Sequence, residues 1–272
     1  MQKTKPPFDK IYQHLPKIIT MKHVLFLLLI AFGMLFANCK SDKPEVQTTS
    51  PDGRTLQFHA HNGTPLVDGF GSDSAWANAE WLPLDQLWIG KQPTNDDYSG
   101  RYKLLWDENN LYILAEITDD TLIDIQTDGL TRYWDDDCLE IFLDEDASGG
   151  NHQYNYNAFA YHIALDGRVV DVAPDSSFQY FDDHCYTRRQ CQGKVCIWEV
   201  AVKLYDGKQY TDDGENIPKM LKVGKRIGFA LAYCDNDYSA ERENFMGNVV
   251  VEGEDKNRGW IDAGIFGLLE LQ

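Results

Sequence analysis

Trp134-Asp-Asp-Asp-Cys-Leu-Glu-Ile-Phe-Leu-Asp144 is the stretch whose reading decides the fold. Along Cys138–Asp144 strict alternation puts Leu139, Ile141 and Leu143 on one face and Cys138, Glu140, Phe142 and Asp144 on the other. The all-aliphatic set marks the core face of a β-strand. Glu140 belongs on the opposite face, near the point where Trp134 leaves its loop, because an unpaired carboxylate is costly inside an apolar core. An indole beside a strand carboxylate suits a ligand with apolar faces and a polar rim. The same residues also fit an ordinary core strand bearing a solvated acid.

Outward from this segment the signal is almost entirely β. Arg101–Trp106, Leu111–Ile117, Ala158–Leu165, Val195–Val202 and Ile227–Cys234 are short and rich in β-branched or aromatic residues, with turn clusters such as Asp107-Glu-Asn-Asn110 and Asp166-Gly167 between them. Short strands at this spacing predict an all-β, two-sheet antiparallel β-sandwich of jelly-roll type. The one helical hint is Ser72–Glu80, capped by Ser72 or Asp73. Trp76, Trp106 and Trp198 sit at patterned positions and read as core, while Trp81 and Trp88 read as cover for the sandwich.

The chain has 272 residues, 43% hydrophobic and 12% aromatic, which supplies a core for one globular domain over residues 53–272. Its formal charge of −18 is uneven: residues 1–38 carry +4, so the remainder carries −22. A domain this acidic repels phosphate backbones, which excludes nucleic acid as a natural partner. Neutral ligands and divalent cations remain compatible.

Val24–Ala37 is a 14-residue apolar run behind Lys22 and His23. At ~1.5 Å per residue it is too short to span a bilayer and reads as a secretory signal over residues 1–38, with Met21 as an alternative start. Leu35-Phe-Ala-Asn-Cys39 resembles a bacterial lipoprotein signal, which implies acylation of Cys39 and a tether over residues 39–52. The expected location is then a membrane-anchored, exported lipoprotein; cleavage near Ala37 would instead give a soluble periplasmic protein. Export permits disulfides. Cys191 and Cys196 face each other if the hairpin between them turns at Gly193-Lys194, within bridging range, and both the bridge and a pair of free thiols fit that geometry.

An ordered series of blocks runs through the domain: Val67-Asp-Gly69, Leu104-Leu-Trp-Asp-Glu-Asn-Asn-Leu-Tyr-Ile113, Glu116-Ile-Thr-Asp-Asp120, Trp134–Asp144, Trp198-Glu-Val-Ala-Val202, Val223-Gly-Lys-Arg-Ile-Gly-Phe229 and Trp260-Ile-Asp-Ala-Gly-Ile-Phe-Gly267. Together they resemble the family 9 carbohydrate-binding modules. The resemblance implies a β-sandwich, bound structural calcium, and a sugar slot clamped between two indoles. Matched position by position, the clamp is Trp134 and Trp260, with Glu140 beside it and Asn257 before the second Trp. The family's sugar-binding arginine falls at Asn155 and its glutamine at Ala232, while Asn157 matches another polar position. The implied partner is a neutral gluco- or xylo-oligosaccharide. Acidic pairs could supply the hard oxygen ligands calcium prefers, and Asp119 with Asp120 at a strand end is the favoured pair.

Three rivals remain open at this level. A glycoside hydrolase needs two carboxylates roughly 5–10 Å apart, for which Glu140 and Asp137 are the candidates. A haem or redox sandwich needs axial ligands from Met220, Met246 and the scattered His59, His61, His152, His162 and His184. A purely structural lipoprotein would bury Trp134 and Trp260 as core. No G-x-S-x-G or H-E-x-x-H occurs.

Overall fold

The computed structural model describes residues 54–272, so the expected signal segment, Cys39 and the tether lie outside the described residues. Fourteen strands make up the described chain. They are β1 (Leu56–Asn62), β2 (Leu82–Pro83), β3 (Gln86–Ile89), β4 (Tyr98–Trp106), β5 (Leu111–Asp119), β6 (Cys138–Asp144) and β7 (Phe159–Ala164). The remainder are β8 (Val169–Val172), β9 (Phe178–Tyr180), β10 (Cys185–Gln192), β11 (Val195–Val202), β12 (Arg226–Asp235), β13 (Asn244–Gly247) and β14 (Gly267–Leu271). Helix among the described residues is confined to short 3-10 turns. The turn predicted at Ser72–Glu80 is one of these, Ser74–Asn78, and Asp73 is the residue that caps it, accepting from Ala75 N at 2.8 Å.

The all-β expectation holds, but the separate antiparallel sheets do not. The strands form one curled mixed sheet in the order β10-β11-β5-β4-β1-β14-β12-β6-β7-β8-β9. The physical reason is β1, which runs parallel to β14 through Leu56–Ala60 and then parallel to β4 through His61 and Asn62. One strand thus changes partners along its length and joins two halves that alternation alone would leave as separate layers.

The halves close over a shared core. Leu104, Ile113, Trp198 and Val200 from β4, β5 and β11 pack with Leu139, Ile141, Tyr161, Phe229 and Leu231 from β6, β7 and β12. The face read from alternation in β6 is therefore the true core face. Its other face is not open to solvent. Cys138 and Phe142 join Trp88, Ala160, Ala232, Cys234 and Phe245 in a second apolar cluster, and Glu140 is only 2% exposed. Loops laid over this outer face cover it, which strand periodicity does not report. Trp76, Trp106 and Trp198 are core as predicted, and Trp88 lies beneath the covering loops.

At the far edge of the sheet, Cys191 pairs with Cys196 in the β10–β11 ladder, and the two are disulfide-bonded with Cα atoms 4.0 Å apart. Directly opposed strand residues approach closely enough for that bridge. Cys138, Cys185 and Cys234 remain free and buried.

Candidate functional site

The covered face of β6, β7 and β8 holds a cavity of about 310 Å³. Small side chains on this face, such as Ala160 on β7, leave the room, while Phe142 and Phe245 provide apolar floor. Trp134, Trp260, Tyr133, Tyr154 and Phe178 supply aromatic wall, and Glu140, His162, Asp171, Arg242 and Asn257 supply polar groups. The lining divides between strands and loops, and three of the loops contain non-glycine residues in the left-handed region: Arg132 (φ 53°), Tyr154 (φ 57°) and Ser176 (φ 68°). Such backbone is sparsely populated and persists where surroundings enforce it, commonly at binding sites.

The acids before β6 do that enforcing for the first indole. Asp136 accepts Ile125 N and Gln126 N at 3.1 and 2.9 Å, and Asp137 accepts Ile123 N and Asn236 N at 2.5 and 2.8 Å. Asp135 holds Arg132 through a 2.8 Å salt bridge and accepts the backbone N–H of Arg242. Trp134, half-buried, is thereby presented from a 3-10 turn whose flanking carboxylates tie down the backbone of the neighbouring loops. The second indole is held differently. His152 donates from Nε2 to the Gly259 carbonyl at 2.7 Å, and Gly259 lies so close to Phe142 that an added Cβ would stand 3.0 Å from its ring. The 3-10 turn Arg258–Trp260 therefore sits directly on the cavity floor.

Glu140 is the electrostatic centre of the cavity. Its Oε1 accepts from His162 Nε2 at 2.7 Å, from Arg242 Nη1 at 3.1 Å and from the Cys234 thiol at 2.9 Å. Among the described residues no protein donor bonds Oε2. Burial alone pushes this carboxyl up, but His162 and Arg242 outweigh it and hold it below the ordinary range. Nearby Asp171 shows the reverse. It accepts Ala160 N at 2.8 Å, yet burial and the charge of Glu140 push it up to about 7.

Two acid clusters outside the cavity have the geometry to hold a cation. Asp119, Asp137 and Asp235 are at most 2% exposed, and each offers an oxygen within 4.8 Å of the others. They join the end of β5 to the start of β6 and the end of β12. Burial, with the charge of nearby acids, raises all three, Asp137 to about 9 and Asp235 to about 7. Asp235 Oδ1 is buried without a hydrogen-bond partner, as is Asp237 Oδ1 in the neighbouring, more exposed cluster of Asp97, Asp120 and Asp237. Uncompensated carboxylates with orphaned oxygens fit a hard divalent cation. Cys138, Glu140 and Cys234 also lie within 4.8 Å of one another, but the Arg242 guanidinium stands 3.0 Å from Cys234 Sγ and already supplies their positive charge.

The structure thus brings Trp134, Glu140, Asn257 and Trp260 to one cavity and leaves other predicted residues outside it. Asn155 Nδ2 donates to Gln153 O and its Oδ1 accepts Asn157 N, while Asn157 Nδ2 donates to Gly149 O. Both amides shape their own loop and neither lines the cavity. Ala232 pairs with Glu140 in the ladder and has no polar group to offer. Asp119 and Asp120 divide between the two acid clusters instead of forming one site. Asp137 likewise belongs to the acid cluster, so the carboxylate pair of the hydrolase reading does not share the cavity. Sequence reasoning named His162 only for the haem reading and missed Asp171 and Arg242. The first was within reach, because the β6–β7 register sets His162 directly opposite Glu140; nothing in the local pattern marked the other two.

A curled β-sheet whose covered outer face carries an aromatic-walled cavity with a buried ion pair in its lining defines a ligand-binding β-module. The chain belongs to the carbohydrate-binding family 9, its residues 67–272 matching the family described as Carbohydrate family 9 binding domain-like. It is similar to endo-1,4-beta-xylanase A of Thermotoga neapolitana, 33% identical over 214 residues that make up 78% of this chain and 17% of the enzyme. The exoglucanase XynX of Acetivibrio thermocellus is 25% identical over 199 residues, 71% of this chain and again 17% of the enzyme. The likeness therefore runs through a binding module that is a small part of each enzyme. In structure the chain resembles a family 9 module from Caldicellulosiruptor kristjanssonii in complex with cellotriose, at TM-score 0.60 and 23% identity, covering 79% of this chain and 93% of that one. The same module in complex with glucose matches at TM-score 0.58 and 22% identity, covering 79% and 95%. At these identities the structural likeness speaks to the fold.

Proposed function

We propose that this module binds a neutral gluco- or xylo-oligosaccharide without hydrolysing it, with one pyranose stacked between Trp134 and Trp260. The observation that carries the reading is the meeting of both indoles with Glu140 on one cavity, from loops distant in sequence. Stacking would remove both C–H faces of the ring from water while the hydroxyl rim meets Glu140 and Asn257. The similar modules in complex with cellotriose and glucose support this ligand class. A disaccharide of about 23 heavy atoms at ~0.3 kcal/mol per atom gives about 7 kcal/mol, or micromolar affinity. Calorimetric titration with glucose, cellobiose and xylobiose tests the proposal. Binding should weaken at least about tenfold in Trp134→Ala and in Trp260→Ala, on the scale of a lost aromatic contact. Unchanged affinity in both variants would remove the clamp, and reducing-sugar release would replace binding with hydrolysis.

Two further elements belong to the same reading. Asp119, Asp137 and Asp235 would hold a structural calcium ion, which neutralises their charge and ties the Trp134 loop to the ends of β5 and β12. The acylated Cys39 would anchor the module to the cell envelope; labelling with radioactive palmitate, lost in Cys39→Ser, is the expected result.

A further inference from the structure

We propose that Arg242 is a specificity-determining residue of this cavity: together with Glu140 it recognises two adjacent hydroxyls of the bound pyranose. The inference rests on the saccharide reading above and assigns its hydrogen-bonding half. Arg242 is the only cationic Lys or Arg lining the cavity among the described residues. Its side chain is 9% exposed and lies over the Phe245 ring at 4.1 Å, so its plane is fixed by packing.

A guanidinium carries five N–H donors in one plane. Here Nη1 serves Glu140 Oε1 at 3.1 Å and Cys234 Sγ at 3.0 Å, and Nη2 donates to Asn257 Oδ1 at 2.7 Å. Nε–H and the second Nη2–H have no protein acceptor among the described residues. Glu140 Oε2 has no protein donor among the described residues either. The unused donors and the unused acceptor thus belong to the two partners of one buried ion pair that lines the cavity. A vicinal diol complements such a pair, since each hydroxyl can donate to the carboxylate or accept from the guanidinium. Ala232 has no donor, Asn155 and Asn157 are turned into their own loop, and His162 Nε2 is committed to Glu140.

Arg242 also joins the two indole loops, its backbone N–H bonding Asp135 and its side chain bonding Asn257. The test must separate hydroxyl recognition from that structural part. Glucose and its monodeoxy analogues would be titrated calorimetrically into the wild-type protein, Arg242→Met and Arg242→Lys. The expected loss for glucose in Arg242→Met is about 10- to 100-fold, the scale of hydrogen bonds to a charged group. For one or two adjacent deoxy positions the wild type and Arg242→Met should bind nearly alike, because the partner hydroxyl is already gone. Arg242→Lys should fall between them, keeping the charge but losing the planar fork, and it carries the same comparison should Arg242→Met not fold. Unchanged glucose affinity, or an equal loss across all analogues, overturns the proposal while leaving the saccharide reading standing. Failure of the wild type to bind glucose, cellobiose or xylobiose would overturn both.

Discussion

Asp137 and Glu140 lie three residues apart and burial pushes both carboxyls up, yet their net shifts run in opposite directions. Asp137 meets Asp119 and Asp235 and is pushed up to about 9, first by burial and then by its acidic neighbours. Glu140 meets Arg242 and His162, which overcome the same burial and hold it below its ordinary value. The difference teaches that a buried acid is defined by its partner. One cluster gathers acids against one another, whereas the other carries its counter-charge within the chain.

The largest expected effect comes from breaking the self-compensated pair. Glu140→Ala leaves the Arg242 guanidinium buried without its carboxylate and should lower stability by about 3–5 kcal/mol. Urea denaturation reads this directly, and a loss under about 1 kcal/mol would mean the pair behaves as a surface contact. The acid cluster should respond to metal instead. Calcium at a hundredfold excess over its dissociation constant should add about 2.7 kcal/mol, seen as a rise of roughly 5–11 °C in melting temperature. Asp137→Asn should abolish that rise relative to chelator. If it melts with the same calcium shift as the wild type, the cation is elsewhere.

A smaller effect separates the two acids by pH. The folded carboxyl of Glu140 lies below its unfolded value of 4.5, so its contribution is fully present above that pH. The contribution is lost as pH falls below 4.5 through the folded value. Melting curves between pH 3 and 6 should therefore fall more steeply for the wild type than for Glu140→Gln. The smallest change is expected at the partly solvated cluster. Asp120→Asn should alter the calcium response by under about 1 kcal/mol, because exposed charge is screened by water.

Much of this arrangement was legible beforehand. Alternation marked the core face of β6, and the strands predicted at Cys138–Asp144 and Val195–Val202 have those bounds in the structure. The hairpin register that opposes Cys191 to Cys196 was legible too, since a two-residue turn sets it locally. Arg242 was not, because it reaches Glu140 from a loop 102 positions away and nothing in its neighbourhood is periodic. Asn155 and Asn157 misled because matching a position in sequence does not say which way a loop amide turns. The acids at Asp135, Asp136 and Asp137 mainly satisfy the backbone N–H groups of the loops that carry the site, a use that their spacing does not reveal.

The sequence by itself determined that the chain is all-β, which face of β6 is core, and that Trp134, Glu140 and Trp260 deserve to be considered together. Those properties follow from period-two patterning and the order of blocks along the chain. Only the tertiary structure decided that β1 joins the halves into one curled sheet, that the outer face of β6 is covered, and that Glu140 and Asp137 serve opposite electrostatic environments. These outcomes depend on which loops fold over a strand and which charges arrive with them. Such long-range placements leave no local pattern to read.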